Sequence, residues 1–233
     1  MITTNLRVRN LEQAWLAGMR EIMDRGREYR KDDSTRAGML RKSLDYLSIE
    51  ITHPEDRPLV PLSKPGCIST CSEADAEKYL VEKLYTTELP AENEAYTYAE
   101  YLTGQIEWST YRYADKGFYT QKACMTVGRP FDLIGDRSIP CLRMIDTRII
   151  NSGRVGENAG VDRLHYYIYF RAWNWFGAFP LEMAGFQMLK EMHACMIECA
   201  SGKPVIPGPT ICMSKDAHVN DIEWDAARAW LGE

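Results

Sequence analysis

The sequence predicts one α+β domain built on a substantial sheet. Three strand-like stretches follow one another between residues 122 and 171, and helix-like stretches lie on both sides of them. Size agrees: 233 residues with 45% hydrophobic content can bury a real core, which predicts a single domain over residues 1–233.

The elements follow from periodicity and punctuation. From Leu11 to about Arg30, residues Leu11, Trp15, Met19 and Ile22 share one face, as in an amphipathic helix. "LDYLSIEI" (44–51) reads as a strand that stops at the turn-rich "THPEDRP". Ser72 followed by "EADAEKYLVEKLY" has the form of an N-capped helix with an acidic first turn. Residues 94–113 read as another helix. The strands are "KACMTV" (122–127), "PCLRMIDTRII" (140–150) and "RLHYYIYFR" (163–171); the loop "NSGRVGENAG" joins the last two like a long hairpin. A long helix is expected from about Phe179 to Ala200. The prolines of "GKPVIPGPTICMS" predict a strand confined to an edge or to extended pieces. "DIEWDAARAWL" closes the chain as a helix, and no internal repeat or low-complexity linker interrupts it.

Composition narrows the function. The net charge is −5 with scattered Lys and Arg, which argues against a nucleic-acid groove, because backbone affinity is built from clustered cations. A small anionic ligand needs only a few local arginines. No apolar run is long enough to span a bilayer, so no membrane partner is expected, and "MITTNLRVRN" lacks the apolar region of a signal peptide. The expectation is a cytoplasmic protein. Its seven cysteines include no C-x-x-C and should be reduced there. Cys195 and Cys199, with His193 nearby, have helical i, i+4 spacing but no complete tetrahedral ligand set; they read as small buried apolar residues, and no metal is expected. Cys67 and Cys71 receive the same reading.

Some side chains stand out chemically. Cys141 follows Pro140 at a strand start, which suits a thiol at a pocket mouth; Arg143, Arg148 and Arg171 could lower its pKa, and a buried structural cysteine is the alternative. Arg171 ends an aromatic strand, either as a snorkelling surface arginine or as a fork for phosphate. Glu182 sits among Phe179, Leu181, Met183 and Phe186, where a carboxylate needs water or a partner. His218 lies in a predicted loop, solvated or functional.

The order of these blocks resembles the thymidylate synthase superfamily: "PC" (140–141), "FRAWN" (170–174), "PLEMAG" (180–185) and "DAH" (216–218), with "YTYAEYLTGQI" (96–106) and "TQKACMT" (120–126) upstream. The resemblance covers about residues 96–220. It implies the mixed twisted sheet of that fold, flanked by helices, with one sheet face used in a homodimer. It also implies that the Cys141 thiolate adds to C6 of a pyrimidine nucleotide monophosphate, so that C5 attacks the one-carbon unit of 5,10-methylenetetrahydrofolate. By the same resemblance Arg171 binds the nucleotide phosphate, His218 faces the sugar hydroxyl, and Tyr98 belongs to the proton network around the base. Asn174 matches the folate-contacting aspartate. Lys122, beside Gln121, matches paired arginines supplied across the dimer interface.

The departures from the family pattern point to a substrate. Glu182 replaces the asparagine that reads the uracil edge. An ionised carboxylate only accepts hydrogen bonds, so it opposes uracil O4 but suits the cytosine 4-amino group, as in the related cytidylate hydroxymethylases. The expected reaction is therefore 5-hydroxymethylation of CMP or dCMP, with dUMP methylation or a non-catalytic nucleotide-binding role as alternatives. Ala172 replaces a serine and Asn220 a tyrosine, either by drift or to leave room for a ribose 2′-hydroxyl. The family's catalytic glutamate has three candidates, Glu73, Glu77 and Glu82. Its tryptophan-containing insertion, which shields the exocyclic methylene, is not recognisable, and that favours water addition over reduction.

Overall fold

A computed structural model of the chain describes residues 1–32, 38–86, 96–129, 139–151 and 160–233. In chain order the elements are β1 (Thr3–Val8), α1 (Leu11–Arg25), β2 (Arg27–Arg30), β3 (Leu40–Leu44), β4 (Tyr46–Ile51) and α2 (Glu73–Tyr79), which runs on as a π-helical segment (Leu80–Tyr85). Then follow α3 (Ala99–Lys116), β5 (Cys124–Thr126), β6 (Leu142–Asn151), β7 (Asp162–Phe170), β8 (Trp173–Asn174), α4 (Ala178–Ser201), β9 (Val205–Ser214), β10 (Ala217–Asn220) and α5 (Trp224–Leu231). The architecture is α+β with two mixed sheets. The larger has the order β1-β4-β9-β7-β6-β5, the smaller β2-β3-β10-β8. No helix among the described residues is long and apolar enough to cross a membrane.

Local chemistry sets the helix ends. Asn10 caps α1, its side chain accepting from the Gln13 N–H at 3.0 Å, and Gly26 closes the helix with an N–H bond to the Ile22 carbonyl at 2.9 Å. The predicted helix to Arg30 is therefore too long: residues 27–30 leave it to pair with β3. Ser72 caps α2 as the sequence suggested, and the structure adds a reciprocal capping box with Asp75. The predicted helix over 94–113 is shifted to Ala99–Lys116, and residues 94 and 95 lie outside the described residues. The predicted strand over 44–51 is two strands broken at Asp45, each in a different sheet.

The long pairing of β6 with β7 is as predicted, running from Leu142↔Phe170 to Asn151↔Asp162. Most of its connecting loop, 152–159, lies outside the described residues. The expectation for the proline-containing strand holds in part: Thr210–Ser214 of β9 lie inside the larger sheet, antiparallel to β4 and parallel to β7, whereas the proline-bearing residues 205–209 face β7 alone. Its register shifts between Leu164↔Pro207 and Tyr166↔Thr210, so Gly208 and Pro209 sit in a bulge where missing ladder donors are tolerated.

The core lies between one face of this sheet and the helices. Ile145, Ile149, Leu164, Ile168 and Phe170 meet Phe179, Met183, Phe186 and Leu189 of α4, all fully buried. Residues at alternate positions, among them Met144, Tyr167, Tyr169, Ile211 and Met213, stay half-buried on the other face of the single chain. Beyond β8, Trp175 locks to α1 reciprocally: the Trp15 indole donates to the Trp175 carbonyl and the Trp175 indole to the Trp15 carbonyl, both at 3.0 Å. Gly18 makes room, since a Cβ there would lie 2.5 Å from the Trp175 ring.

Candidate active site

Cys141 and Arg171 stand just beyond the paired ends of β6 and β7, where Leu142 faces Phe170 and a register shift makes Arg143 the extra residue. The backbone from Ile139 to Leu142 is held almost completely. Arg171 donates from Nη2 to the Ile139 carbonyl at 2.7 Å, from Nε to the Pro140 carbonyl at 3.2 Å, and from its own backbone N–H to the Cys141 carbonyl at 2.9 Å. The Tyr98 hydroxyl accepts from the Leu142 N–H at 3.4 Å, and the Tyr96 hydroxyl takes a backbone hydrogen bond at Cys141. Pro140 has no donor to satisfy. Cys141 is half-buried, at the open end of a fixed turn.

Glu182 lies in the first turns of α4, and both its oxygens are engaged. The Trp173 indole donates to Oε2 at 2.6 Å and the Tyr79 hydroxyl to Oε1 at 3.4 Å. Burial pushes its carboxyl up to about 7, although both hydrogen bonds pull the other way. The surrounding aromatics are packed wall rather than open surface: Phe170 stacks on Trp173 with centroids 4.0 Å apart, and Tyr98 stands edge-on to Phe170 at 6.5 Å. Burial raises the hydroxyls of Tyr79 and Tyr98 well above the ordinary range and that of Tyr96 to about 12, with Glu182 adding its charge at each. These phenols are proton holders at neutral pH.

Cys141, Glu182, Arg171 and Lys31 share one electrostatic neighbourhood. Burial raises the Cys141 thiol above its usual range, against the lowering charges of Arg171 and Lys31 and with the raising charges of Glu182 and Asp216. The expected activation by three arginines is thus reduced to one, with Lys31 beside it. Arg148 is exposed on the sheet, and Arg143 lies over Gly128.

His218 is not in a loop. It is a buried residue of β10, paired across from Ser43 and Asn174, with Nδ1 3.1 Å from the Asp216 carbonyl. Asp216 resists the effect of its burial: bonds from His218 and Ser43 and the charge of the buried Arg41 hold it well below the usual carboxylate range. Asn220 is fully buried, and its amide donates to Glu223 at 3.0 Å. Asn174 donates to Glu223 at 2.9 and 3.1 Å and accepts from the Gly177 N–H at 2.8 Å, so it fastens the entry of α4. Ala172 lines a cleft of about 370 Å³ together with Arg27, Tyr29, Arg171, Lys215 and Asp216.

Other candidates lie elsewhere. Lys122 is exposed two residues before β5, whose register places it at the far end of β6 from Cys141, about 20 Å away along the strand. Glu73, Glu77 and Glu82 are exposed; Glu73 accepts from the Leu59 N–H at 3.4 Å and Glu82 pairs with Lys78 at 3.8 Å. From that helix it is Tyr79 that reaches Glu182. Cys195 and Cys199 are exposed rather than buried, while His193 points inward to Ser109 and Tyr166 at 3.0 and 2.9 Å. Among the described residues, no three His, Cys, Asp or Glu side chains gather as a metal site.

Sequence reasoning missed Tyr79, Tyr96, Trp173, Lys31 and Asp216. The aromatic ones look like core residues in sequence, and Asp216 was only part of the "DAH" block. Neither protein-family models nor curated proteins match this chain.

Proposed function

We propose that this protein is a pyrimidine-nucleotide C5 hydroxymethyltransferase of thymidylate synthase-like fold, acting on CMP or dCMP. The observation that supports it most is a carboxyl, Glu182, held rigidly by two donors in the same electrostatic neighbourhood as a clamped thiol, Cys141. The co-substrate 5,10-methylenetetrahydrofolate supplies a one-carbon unit at the formaldehyde level. Cys141 loses its proton and bonds to C6, which makes C5 nucleophilic. C5 bonds to the one-carbon unit and gives up its proton, and the carbon–nitrogen bond to the folate breaks so that tetrahydrofolate leaves. Water supplies the hydroxyl of the product, and the Sγ–C6 bond breaks to return the thiol.

Glu182 selects the base. With both oxygens fixed by donors, its remaining lone pairs suit the cytosine 4-amino group and oppose uracil O4. Arg171 binds the phosphate with its free edge, His218 lies at the sugar end, and Tyr98 and Tyr96 hold protons beside the base. Asn174 contacts the folate indirectly at most, because its amide is already engaged. The half-buried sheet face carrying Tyr167, Tyr169, Ile211 and Met213 supports a homodimer.

The Glu182 carboxyl at about 7 favours a second reading, since its protonated form can donate to uracil O4 and permit dUMP methylation. Incubation with methylenetetrahydrofolate and each of CMP, dCMP, UMP and dUMP separates the two. A 5-hydroxymethyl product without dihydrofolate absorbance upholds the hydroxymethyltransferase, whereas a preference for dUMP overturns it. Tritium release from 5-labelled cytidylate, abolished in Cys141→Ala, excludes a purely binding role.

A further inference from the structure

Tyr79 reaches Glu182 through a change in the winding of its helix. The segment Leu80–Tyr85 that continues α2 is π-helical, and the Thr86 N–H bonds the Val81 carbonyl five residues back at 2.8 Å. In an α-helix, residues five apart point about 140° away from each other. Here Tyr79 and Leu84, five apart, meet the same residue of α4: a Cβ on Gly185 would stand 2.6 Å from Tyr79 Cδ1 and 3.5 Å from Leu84 Cδ1. Gly185 is thus a notch that takes the Tyr79 ring, and Phe186 meets that ring edge-on at 6.5 Å. Glu182 lies one turn earlier on the same face of α4, so a ring seated in the notch delivers its hydroxyl to Oε1 at 3.4 Å.

The two donors to Glu182 differ in kind. Trp173 is held by stacking on Phe170, and its indole N–H only donates, which makes it a fixed anchor at Oε2. The Tyr79 hydroxyl, at the longer distance, can donate to an ionised Oε1 or accept from a protonated one. Donation to the charged form is the stronger bond, so this hydroxyl tips the carboxyl toward ionisation and steers its remaining lone pairs. We infer that Tyr79 is a positioning residue that sets the ionisation and aim of Glu182, and through them the choice between a base edge offering an amino group and one offering a carbonyl oxygen. The base choice rests on the nucleotide reading proposed above; the coupling of Tyr79 to Glu182 does not. Among the described residues, the other titratable groups that feel the Glu182 charge are Tyr96 and Tyr98 ahead of α3 and Cys141 ahead of β6. A Tyr79→Phe exchange leaves the chemistry of all three unchanged.

The test begins on the intact, ligand-free protein. Infrared titration follows the protonated-carboxyl band that Glu182→Gln removes, with a midpoint at about 7 in wild type. In Tyr79→Phe that midpoint should rise by about one pH unit, the worth of one lost charge-assisted hydrogen bond. An unchanged or lowered midpoint overturns the inference. Calorimetric titration with CMP and UMP across the same pH range then reads base choice. The pH at which CMP comes to be preferred over UMP should move up by the same amount in Tyr79→Phe, and the exchange should leave that preference untouched in a Glu182→Gln background. A preference that shifts equally with Glu182→Gln in place reports packing alone and overturns the inference, as does one that ignores the moved midpoint. If neither nucleotide binds the wild type, the nucleotide reading fails, and the infrared midpoint alone decides whether Tyr79 governs Glu182.

Discussion

At Glu182, sequence and environment pull the same side chain in two directions. Asn at this position can donate and accept, so Glu182→Asn should move nucleotide preference from cytidylate toward uridylate by about tenfold or more, the worth of one buried mismatch. Competition assays with CMP and UMP measure it. On the proposed reading, in which the ionised carboxylate accepts from the cytosine amino group, CMP affinity should strengthen as pH rises through about 7 in wild type and stay flat in Glu182→Gln. The stability linkage has the opposite sign. The folded pKa lies above the ordinary 4.5, so Glu182 contributes stability below that value, and this is lost as pH rises through about 7. Urea unfolding at pH 5 and pH 8 should show wild type losing about 2 kcal/mol more than Glu182→Gln. Glu182 was legible in sequence because a carboxylate among apolar helix residues demands a partner. Which partners could not be read, since Tyr79 lies 103 positions away and Trp173 looks like any core aromatic.

Among the elements, the bulges decide more than the ladders. The sequence located β6, β7 and α4 to within about two residues, because alternation and a long apolar face are local signals. It caught only half of β9: Thr210–Ser214 run inside the sheet, but the prolines do sit where the strand is paired on the β7 side alone, beside a bulge. There Lys190 of α4, fully buried, donates to the Gly208 carbonyl at 2.6 Å and to Thr210 at 2.7 Å. A Cβ on Gly208 would meet Arg163 and His165 at 2.9 Å, so Gly208→Ala should cost about 1–3 kcal/mol by overpacking. Chemical denaturation checks this. Gly18→Ala, which drives a methyl into Trp175, should cost a similar amount and loosen α1 from the site. The strand position of His218 escaped sequence reading for a related reason: β10 is four residues long and is flanked by β3 and β8, which lie far from it in the chain.

Across the whole molecule, the two sheets meet where the candidate site lies, β7 ending at Phe170 in one and β8 beginning at Trp173 in the other. The single sheet expected from sequence was the larger of two, because strands as short as β2 and β8 carry no periodicity to read. If the half-buried sheet face is a dimer surface, Tyr167→Asp together with Met213→Asp should give a folded monomer in sedimentation, with CMP binding kept and turnover changed only if the partner contributes to the site.

The position of β9 governs the order in which the molecule can assemble. Among the described residues it is the strand that joins β4 to β7 in the larger sheet. As the chain leaves a ribosome, its N-terminal strands and its thiol-bearing hairpin, though bridged by the packing of α1 and α2 on α4, have no common sheet until residue 214 has emerged. A nascent chain stalled before that point should remain open to protease in both halves, and one stalled well after it should close both together.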